Sequence, residues 1–334
     1  MKHKTLLDIA RLAGVSPSTV SRALRNHPDI NKNTIKKIKQ IAARNNFSPN
    51  PIAQGLKTNT TSTIGVIVPE ITHDFFATAI SGIEEVIYKS GYTLLLCQSN
   101  ESSERESLNI DLLLNHRVAG IIASISESTL NGTHFKKVLK RKTPLVFFDR
   151  VCTDIAADKV IIDDEKGAFD AVSFLLAKGY KRIAHLKGPD NLSNCSQRYK
   201  GYVKALGKKG LKPEKSLIIS GGMNEIDGYN SMAKILKMKK RPDAIFAVND
   251  PVAIGAFQKI REEGLAVPRD IAIVGFSNNI ITSLITPGIT TIAQPSFEMG
   301  KTAASVLIER IRKGNKGENK IIVLDTQLII RDSA

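Results

Sequence analysis

The sequence predicts two parts of different class: a short all-α head of helix-turn-helix type, then an α/β body made of two doubly wound lobes with parallel sheets. Three observations carry this. The first sixty residues hold eleven lysines or arginines against two acids, a net +9, whereas the rest of the chain carries only +7 of the total +16. From residue 64 onward, short β-branched runs alternate with stretches of helical period. Between residues 46 and 63 lies a polar segment of Asn, Ser, Pro and Thr whose apolar side chains are Phe47, Ile52 and Leu56, and it reads as a linker. At 334 residues the chain is longer than a single core usually supports, so more than one domain is expected. Its 42% hydrophobic and 24% charged content suits a packed globular chain.

The head opens at Thr5-Leu6-Leu7-Asp8, where a hydroxyl and a carboxylate three residues apart can each satisfy a free backbone N–H of a first helical turn. Leu6, Ile9, Ala10 and Ala13 mark one apolar face. Gly14 allows a sharp turn, Val15 plugs a small core, and Ser16-Pro17 is an N-cap followed by proline at the first helical position. In the second helix Val20, Ala23 and Leu24 face inward, leaving Pro17, Ser18, Ser21, Arg22 and Arg25 outside. A third helix from Lys32 to Arg44 adds Ile35, Ile38, Ile41 and Ala42 to the same core. Two short helices joined through glycine match the helix-turn-helix, whose second helix enters the DNA major groove. A basic terminus alone would suit a nucleic acid or an anionic membrane; this geometry favours duplex DNA. Arg22 suits a bidentate contact to guanine, worth about 1–3 kcal/mol of discrimination. Ser16, Thr19 and Ser21 suit phosphates. In the linker, Asn50 can cap and Pro51 can start a helix, but a segment this short with Gly55 inside it is not stable alone.

In the body, strands are expected at 64–69, 92–97, 119–123, 145–149, 160–163, 182–186, 217–219, 244–248 and 271–276, with helical stretches between them. Apolar, non-alternating strands that alternate with helices mean parallel sheets covered on both faces. So many strands fit two lobes with a cleft better than one wide sheet. A helix near Phe297–Arg312 and the stretch Ile321–Ile330 end the chain and can cross back between lobes, but their lobe is not legible from periodicity. Ligands of such sheets collect beyond the carboxyl ends of strands. There the sequence places Asp74, Phe75 and Phe76, then Phe148-Asp149-Arg150, then Asn249-Asp250, and Arg198 after Ser193–Ser196. Amides, charges and aromatic faces together suit a polar ring such as a sugar or a nucleobase.

Thr5-Leu6-Leu7-Asp8-Ile9-Ala10, Ala13-Gly14-Val15-Ser16, Thr19-Val20-Ser21-Arg22 and Asn50-Pro51-Ile52-Ala53-Gln54-Gly55-Leu56 resemble the lactose/galactose repressor family over head, linker and body. The resemblance implies a helix-turn-helix domain at 1–48, a hinge helix and linker at 49–62, and a two-lobed, periplasmic-binding-protein-like effector and dimerisation domain at 63–334. It implies that Pro17, Ser18 and Arg22 read bases and that paired hinge segments bring Ala53 and Leu56 to the minor groove, where Leu56 kinks the duplex. It places effector contacts at Phe76, Asp149, Arg198 and Asn249, and more loosely at Met223 and Gln294. Arg198-Tyr199-Lys200-Gly201 matches the family's Arg-x-x-Gly. Where many relatives carry an acidic pair, this chain has Ser277-Asn278-Asn279, so a carboxylate that commonly grips sugar hydroxyls is missing. A different sugar, an acidic metabolite or no ligand at all remain open at this stage.

The expected function is therefore a sequence-specific transcriptional regulator, in the repressing direction. It would bind a pseudo-palindromic operator as a homodimer, with a tetramer left open, under allosteric control by a small polar effector of sugar type. Whether that effector releases or strengthens DNA binding is not legible. No cofactor is expected. Catalysis is not expected either: G-x-G-x-x-G, P-loop, G-x-S-x-G and H-E-x-x-H motifs are missing, and the six histidines pair with no nucleophile or metal. A periplasmic sugar-binding protein would share the body but needs an export signal and has no use for a basic head. A constitutive regulator without a sensor is the third alternative. No membrane partner is expected, since the longest apolar runs are strand-sized and no secretion signal stands at the start. Cys97, Cys152 and Cys195 are scattered without metal spacing, which fits unpaired thiols in the cytoplasm.

Overall fold

The computed structural model describes residues 4–24, 26–45, 47 and 61–334. Packing divides the chain into two units between Thr61 and Ser62. In the first, α1 (Leu6–Ala13), α2 (Pro17–Leu24) and α3 (Lys32–Arg44) enclose a small core of Ile9, Ala10, Ala13, Val20, Ala23 and Ile38. The start of α1 is a true capping box: Thr5 Oγ1 accepts from Asp8 N, and the Asp8 carboxylate accepts from Thr5 N at 2.8 Å. Gly14 ends the helix with φ +69°, a left-handed conformation that costs glycine little and lets α2 start three residues later. Phe47 packs against this core. Composition puts it in the linker, whereas the head bounds of 1–48 implied by the resemblance include it.

The second unit contains two six-stranded sheets. Lobe 1 holds β1 (Thr63–Val68), β2 (Thr93–Gln98), β3 (Gly120–Ala123), β4 (Leu145–Phe148), β5 (Asp158–Ile162) and β11 (Ile321–Leu324). Their order is β11-β5-β4-β3-β1-β2, all parallel. It is covered by α4 (Asp74–Lys89), α5 (Ser103–Asn115), α6 (Lys136–Lys140) and α12 (Ser296–Arg312). Lobe 2 holds β6 (Ile183–Lys187), β7 (Ile218–Ser220), β8 (Ala244–Ala247), β9 (Ala272–Ser277), β10 (Thr290–Ala293) and β12 (Gln327–Ile329). Its order is β12-β10-β9-β8-β6-β7. Helices α7 (Asp164–Ala177), α8 (Ser193–Lys208), α9 (Glu225–Leu236) and α10 (Asp250–Glu262) complete it, with the short α11 (Ile281–Leu284) before β10.

The chain passes between lobes three times: from β5 into α7, from β10 into α12, and from β11 into β12. One feature differs from expectation: β10 was not foreseen. The stretch Ile321–Ile330, expected to be able to cross back between lobes, does so as two strands in two different sheets. β12 runs antiparallel to β10, so lobe 2 carries one antiparallel edge strand on an otherwise parallel sheet.

Candidate functional site: an interlobe cleft and a basic head

The carboxyl ends of both sheets face a cleft of about 210 Å³. Every stretch of chain that borders it follows a strand. Lobe 1 contributes Phe75 and Phe76 from the start of α4, and Asp149 and Arg150 from the end of β4. Lobe 2 contributes Asn194 and Arg198 of α8, Met223 after β7, Asn249 after β8, the turn Ser277–Asn279 after β9, and Gln294 after β10. The six residues expected at an effector site, Phe76, Asp149, Arg198, Met223, Asn249 and Gln294, all border this one space.

Arg198 is 2% exposed and firmly held. Its Nε donates to Asp164 at 2.8 Å, its Nη1 donates to Val248 O at 2.8 Å, and its guanidinium lies 3.8 Å from the centre of the Phe276 ring. Burial pushes the Asp164 carboxyl up to about 6 even with Arg198 beside it. Gly201 explains the motif that Arg198 begins: a Cβ there would lie 2.2 Å from Glu165 O, so only glycine lets α8 approach the start of α7 and bring guanidinium to carboxylate.

Arg150, named among the strand-end candidates but not among the six expected effector contacts, also borders the cleft. It is buried, donates through Nη1 to both Glu101 oxygens at 2.8 and 2.9 Å, and stands 5.7 Å over the Phe76 ring. Its Nε is buried without a hydrogen-bond partner among the described residues, 4.0 Å from the Asp149 carboxylate. Asp149 adopts φ +57°, which a non-glycine residue tolerates at some cost, and burial raises its carboxyl above the ordinary range against the pull of Arg150 and Arg198. Gln294 Nε2 is also buried without a partner among the described residues.

Asn249 serves two purposes. Its Oδ1 caps α10 by accepting from Val252 N at 3.0 Å, while its Nδ2 donates to Met223 O at 2.7 Å, holding the methionine against the cleft. In the turn that lacks the acidic pair, Ser277 has φ +125° and Asn278 φ +59°, a strained backbone of the kind that clusters at ligand sites. Asn278 Oδ1 accepts from Arg331 Nη2 at 2.7 Å, and Asn279 N donates to buried Asp250 at 2.7 Å. Burial lifts Asp250 to about 6. Beyond the cleft residues, Asn191 of lobe 2 donates through Nδ2 to Glu127 O at 2.6 Å and Thr129 O at 3.3 Å of lobe 1, a latch between the lobes.

On the head, Ser16, Pro17, Ser18 and Arg22 are exposed on the outer side of α2, and Thr19 and Ser21 are half-buried. Ser16 Oγ caps the helix by accepting from Thr19 N at 3.1 Å and contacts both the Ser18 and Thr19 hydroxyls at 2.8 Å. Arg25, Ala53 and Leu56 lie outside the described residues.

Residues 5–50 match the model of the lacI family of bacterial regulatory proteins, and residues 172–334 match a periplasmic binding protein-like domain. The HTH-type transcriptional repressor PurR of Vibrio atlanticus is 32% identical over 331 residues, covering 98% of each chain. The chain belongs to the LacI family. As a member it is a DNA-binding, ligand-regulated transcriptional repressor, and its curated relatives are repressors rather than enzymes. The lac repressor dimer bound to operator and the anti-inducer ONPF has the same LacI-family architecture, with a TM-score of 0.86 at 26% identity over 99% of both chains. A LacI-family regulator from Enterococcus faecalis V583 with bound ribose is 34% identical, covers 81% of this chain and 98% of its own, and has a TM-score of 0.72. Among the described residues, no helix of this LacI-family chain is long and apolar enough to cross a membrane.

Proposed function

We propose that the chain binds a pseudo-palindromic operator as a homodimer, with residues 1–48 as the reading head, 49–62 as the hinge and 63–334 as sensor and dimer body. In this reading a small neutral polyhydroxylated ring, a monosaccharide or its derivative, occupies the cleft. The charge balance of the cleft carries the effector assignment. Both buried arginines already have a carboxylate, Glu101 for Arg150 and Asp164 for Arg198, so an anionic ligand is not required. The groups left are mixed: Arg150 Nε and Gln294 Nε2 are buried donors without a hydrogen bond among the described residues, and the Asp149 carboxylate borders the same space as an acceptor. A hydroxyl donates and accepts at once, so a ring bearing several of them satisfies Asp149 and Arg150 side by side, with Phe75 and Phe76 offering apolar faces to its C–H groups. Solved relatives with bound ribose and with cellobiose support the same class. A purine is the second reading, favoured by the curated relatives named PurR. Titration calorimetry of the full chain separates them. Heat from ribose or another monosaccharide is expected; heat from purine bases alone reverses the assignment, and heat from neither leaves a regulator without a sensor.

Exposed large apolar side chains support the homodimer: Leu96, Leu108 and Leu112 beside the open edge of lobe 1, and Ile226, Ile280, Ile281 and Leu284 on lobe 2. Two-fold dimers read two-fold sites. Ligand bound between lobes favours one of their arrangements, and by linkage the same free energy changes the grip on DNA. Base reading rests on Arg22: Arg22→Ala is expected to abolish preference for a selected operator while the remaining affinity stays salt-sensitive. Equal operator affinity of variant and wild type in a binding titration defeats that assignment.

A further inference from the structure

We propose that the edge of lobe 2 opposite the cleft is a second polyanion surface, one that takes duplex DNA by its phosphates on a segment other than the one held by the head. The body's excess charge lies almost wholly in this lobe. Lobe 1, residues 62–162 and 296–324, holds sixteen cations and fifteen acids, whereas lobe 2, residues 163–295 and 325–334, holds twenty-one and fifteen. Within lobe 2 the segments 178–182, 204–215 and 234–243 hold thirteen cations and two acids, so the remainder of the lobe is acidic on balance.

Topology gathers these segments. They lead into β6, β7 and β8, three parallel strands that lie side by side as β8-β6-β7, about 4.8 Å apart. Their entry loops therefore share the amino edge of the sheet, while the cleft opens at its carboxyl edge. The two acids tie the loops together. Asp243 accepts from Lys181 N at 2.8 Å and Arg182 N at 2.9 Å, and Glu214 accepts from Arg182 Nη1 at 2.6 and 2.8 Å. The lysines around them are not neutralised: Lys209, Lys212, Lys237, Lys239 and Lys240 are exposed and make no ion pair among the described residues. A basic residue at a helix end complements the helix dipole, which accounts for Lys208 and Lys237 but not for Lys212, Lys239 and Lys240 further along the loops.

The chemistry of the edge selects its partner. No large apolar side chain is exposed in the three segments, so a protein would find no anchor to bury and a bilayer no side chain to take up. A phosphodiester backbone needs only charge, because release of its condensed counterions supplies the affinity. A repressor already held on DNA by its head also meets neighbouring duplex at high effective concentration, so a contact too weak to act alone becomes populated.

The test uses the full chain saturated with an operator duplex obtained by in vitro selection, then offered a second, differently labelled duplex of unrelated sequence. Wild type is expected to capture the second duplex at low salt. The variant K209Q/K212Q/K237Q/K239Q/K240Q is expected to lose this capture by about tenfold or more and to flatten its salt dependence by a slope of about 4, with operator affinity unchanged. The matching Lys→Arg variant should retain capture. Absence of a second duplex on wild type, or capture indifferent to the glutamines, overturns the proposal; so does uptake by phosphatidylserine vesicles without uptake of duplex. Loss of operator binding would show on the first duplex and is thus read separately.

Discussion

The two lobes share a six-stranded architecture yet hold their buried arginines differently. In lobe 2, Arg198 has two nitrogens engaged by its own lobe, one on Asp164 and one on a backbone carbonyl, and a ring beneath it. In lobe 1, Arg150 is hydrogen-bonded through Nη1 alone, to a Glu101 carboxylate that remains 24% exposed, and its Nε has no hydrogen bond among the described residues, with the Asp149 carboxylate 4.0 Å away. Arg198 is thus anchored at two nitrogens by its own lobe, whereas Arg150 keeps one fully buried nitrogen without a hydrogen bond among the described residues. A buried donor left unsatisfied calls for an explanation, which a bound ligand would supply.

Substitutions can break or sharpen this contrast. Arg198→Met should have the largest effect, about 3–5 kcal/mol of lost stability in denaturant unfolding, because it leaves the Asp164 carboxylate buried without its cation. That loss should depend on pH. In the folded wild type the Asp164 carboxyl sits at about 6, above its ordinary 3.8, and loss of the Arg198 cation raises it further; at pH 5 it therefore folds protonated and the penalty is smallest, and the penalty grows as pH rises above 6. An equal loss at pH 5 and pH 8 would show that Asp164 is not the group left stranded. Arg150→Met should cost less stability, about 1–3 kcal/mol, since Glu101 can turn to water, but should remove effector heat in calorimetry. Retained effector affinity with wild-type stoichiometry would place the ligand away from lobe 1's donor. Asn191→Ala is the mildest, about 1 kcal/mol, and acts on the latch rather than on either wall. Its expected signature is a more open body by small-angle scattering in the absence of ligand; an unchanged profile would mean that the latch does not hold the lobes.

The contrast between arginines also shows what was legible beforehand. Strand-end reasoning and the family resemblance together reached six residues that border the cleft, and the capping box at Thr5–Asp8 was readable because all its parts lie within four residues. Arg150 stood in plain view beside Asp149, but its importance depends on Glu101, forty-nine positions away, and on a donor left over in three dimensions. β10 escaped for a related reason. Its two threonines look like loop chemistry, yet both are fully buried because Thr291 donates to Asp250 at 2.7 Å and Thr290 donates to Arg331 O at 3.1 Å. Distant partners turned polar residues into core, and a linear window does not contain those partners. The same limit hid which sheet each part of residues 321–330 joins, since the switch at Asp325-Thr326 has no local signature. Ala53 and Leu56, the hinge residues implied by resemblance, lie outside the described residues.

The repeated passage of the chain between lobes has a consequence for how the molecule is made. Lobe 1 lacks α12 and β11 until all of β6 to β10 has been synthesised, so a nascent chain cannot close its first lobe while the second is still on the ribosome. At ordinary elongation rates this exposes the apolar face of β3, β4 and β5 that α12 will cover for on the order of ten seconds. The two walls of the sensor therefore mature together, and polypeptides cut short in lobe 2 would be recognised by chaperones and proteases as unfinished rather than surviving as half-sensors.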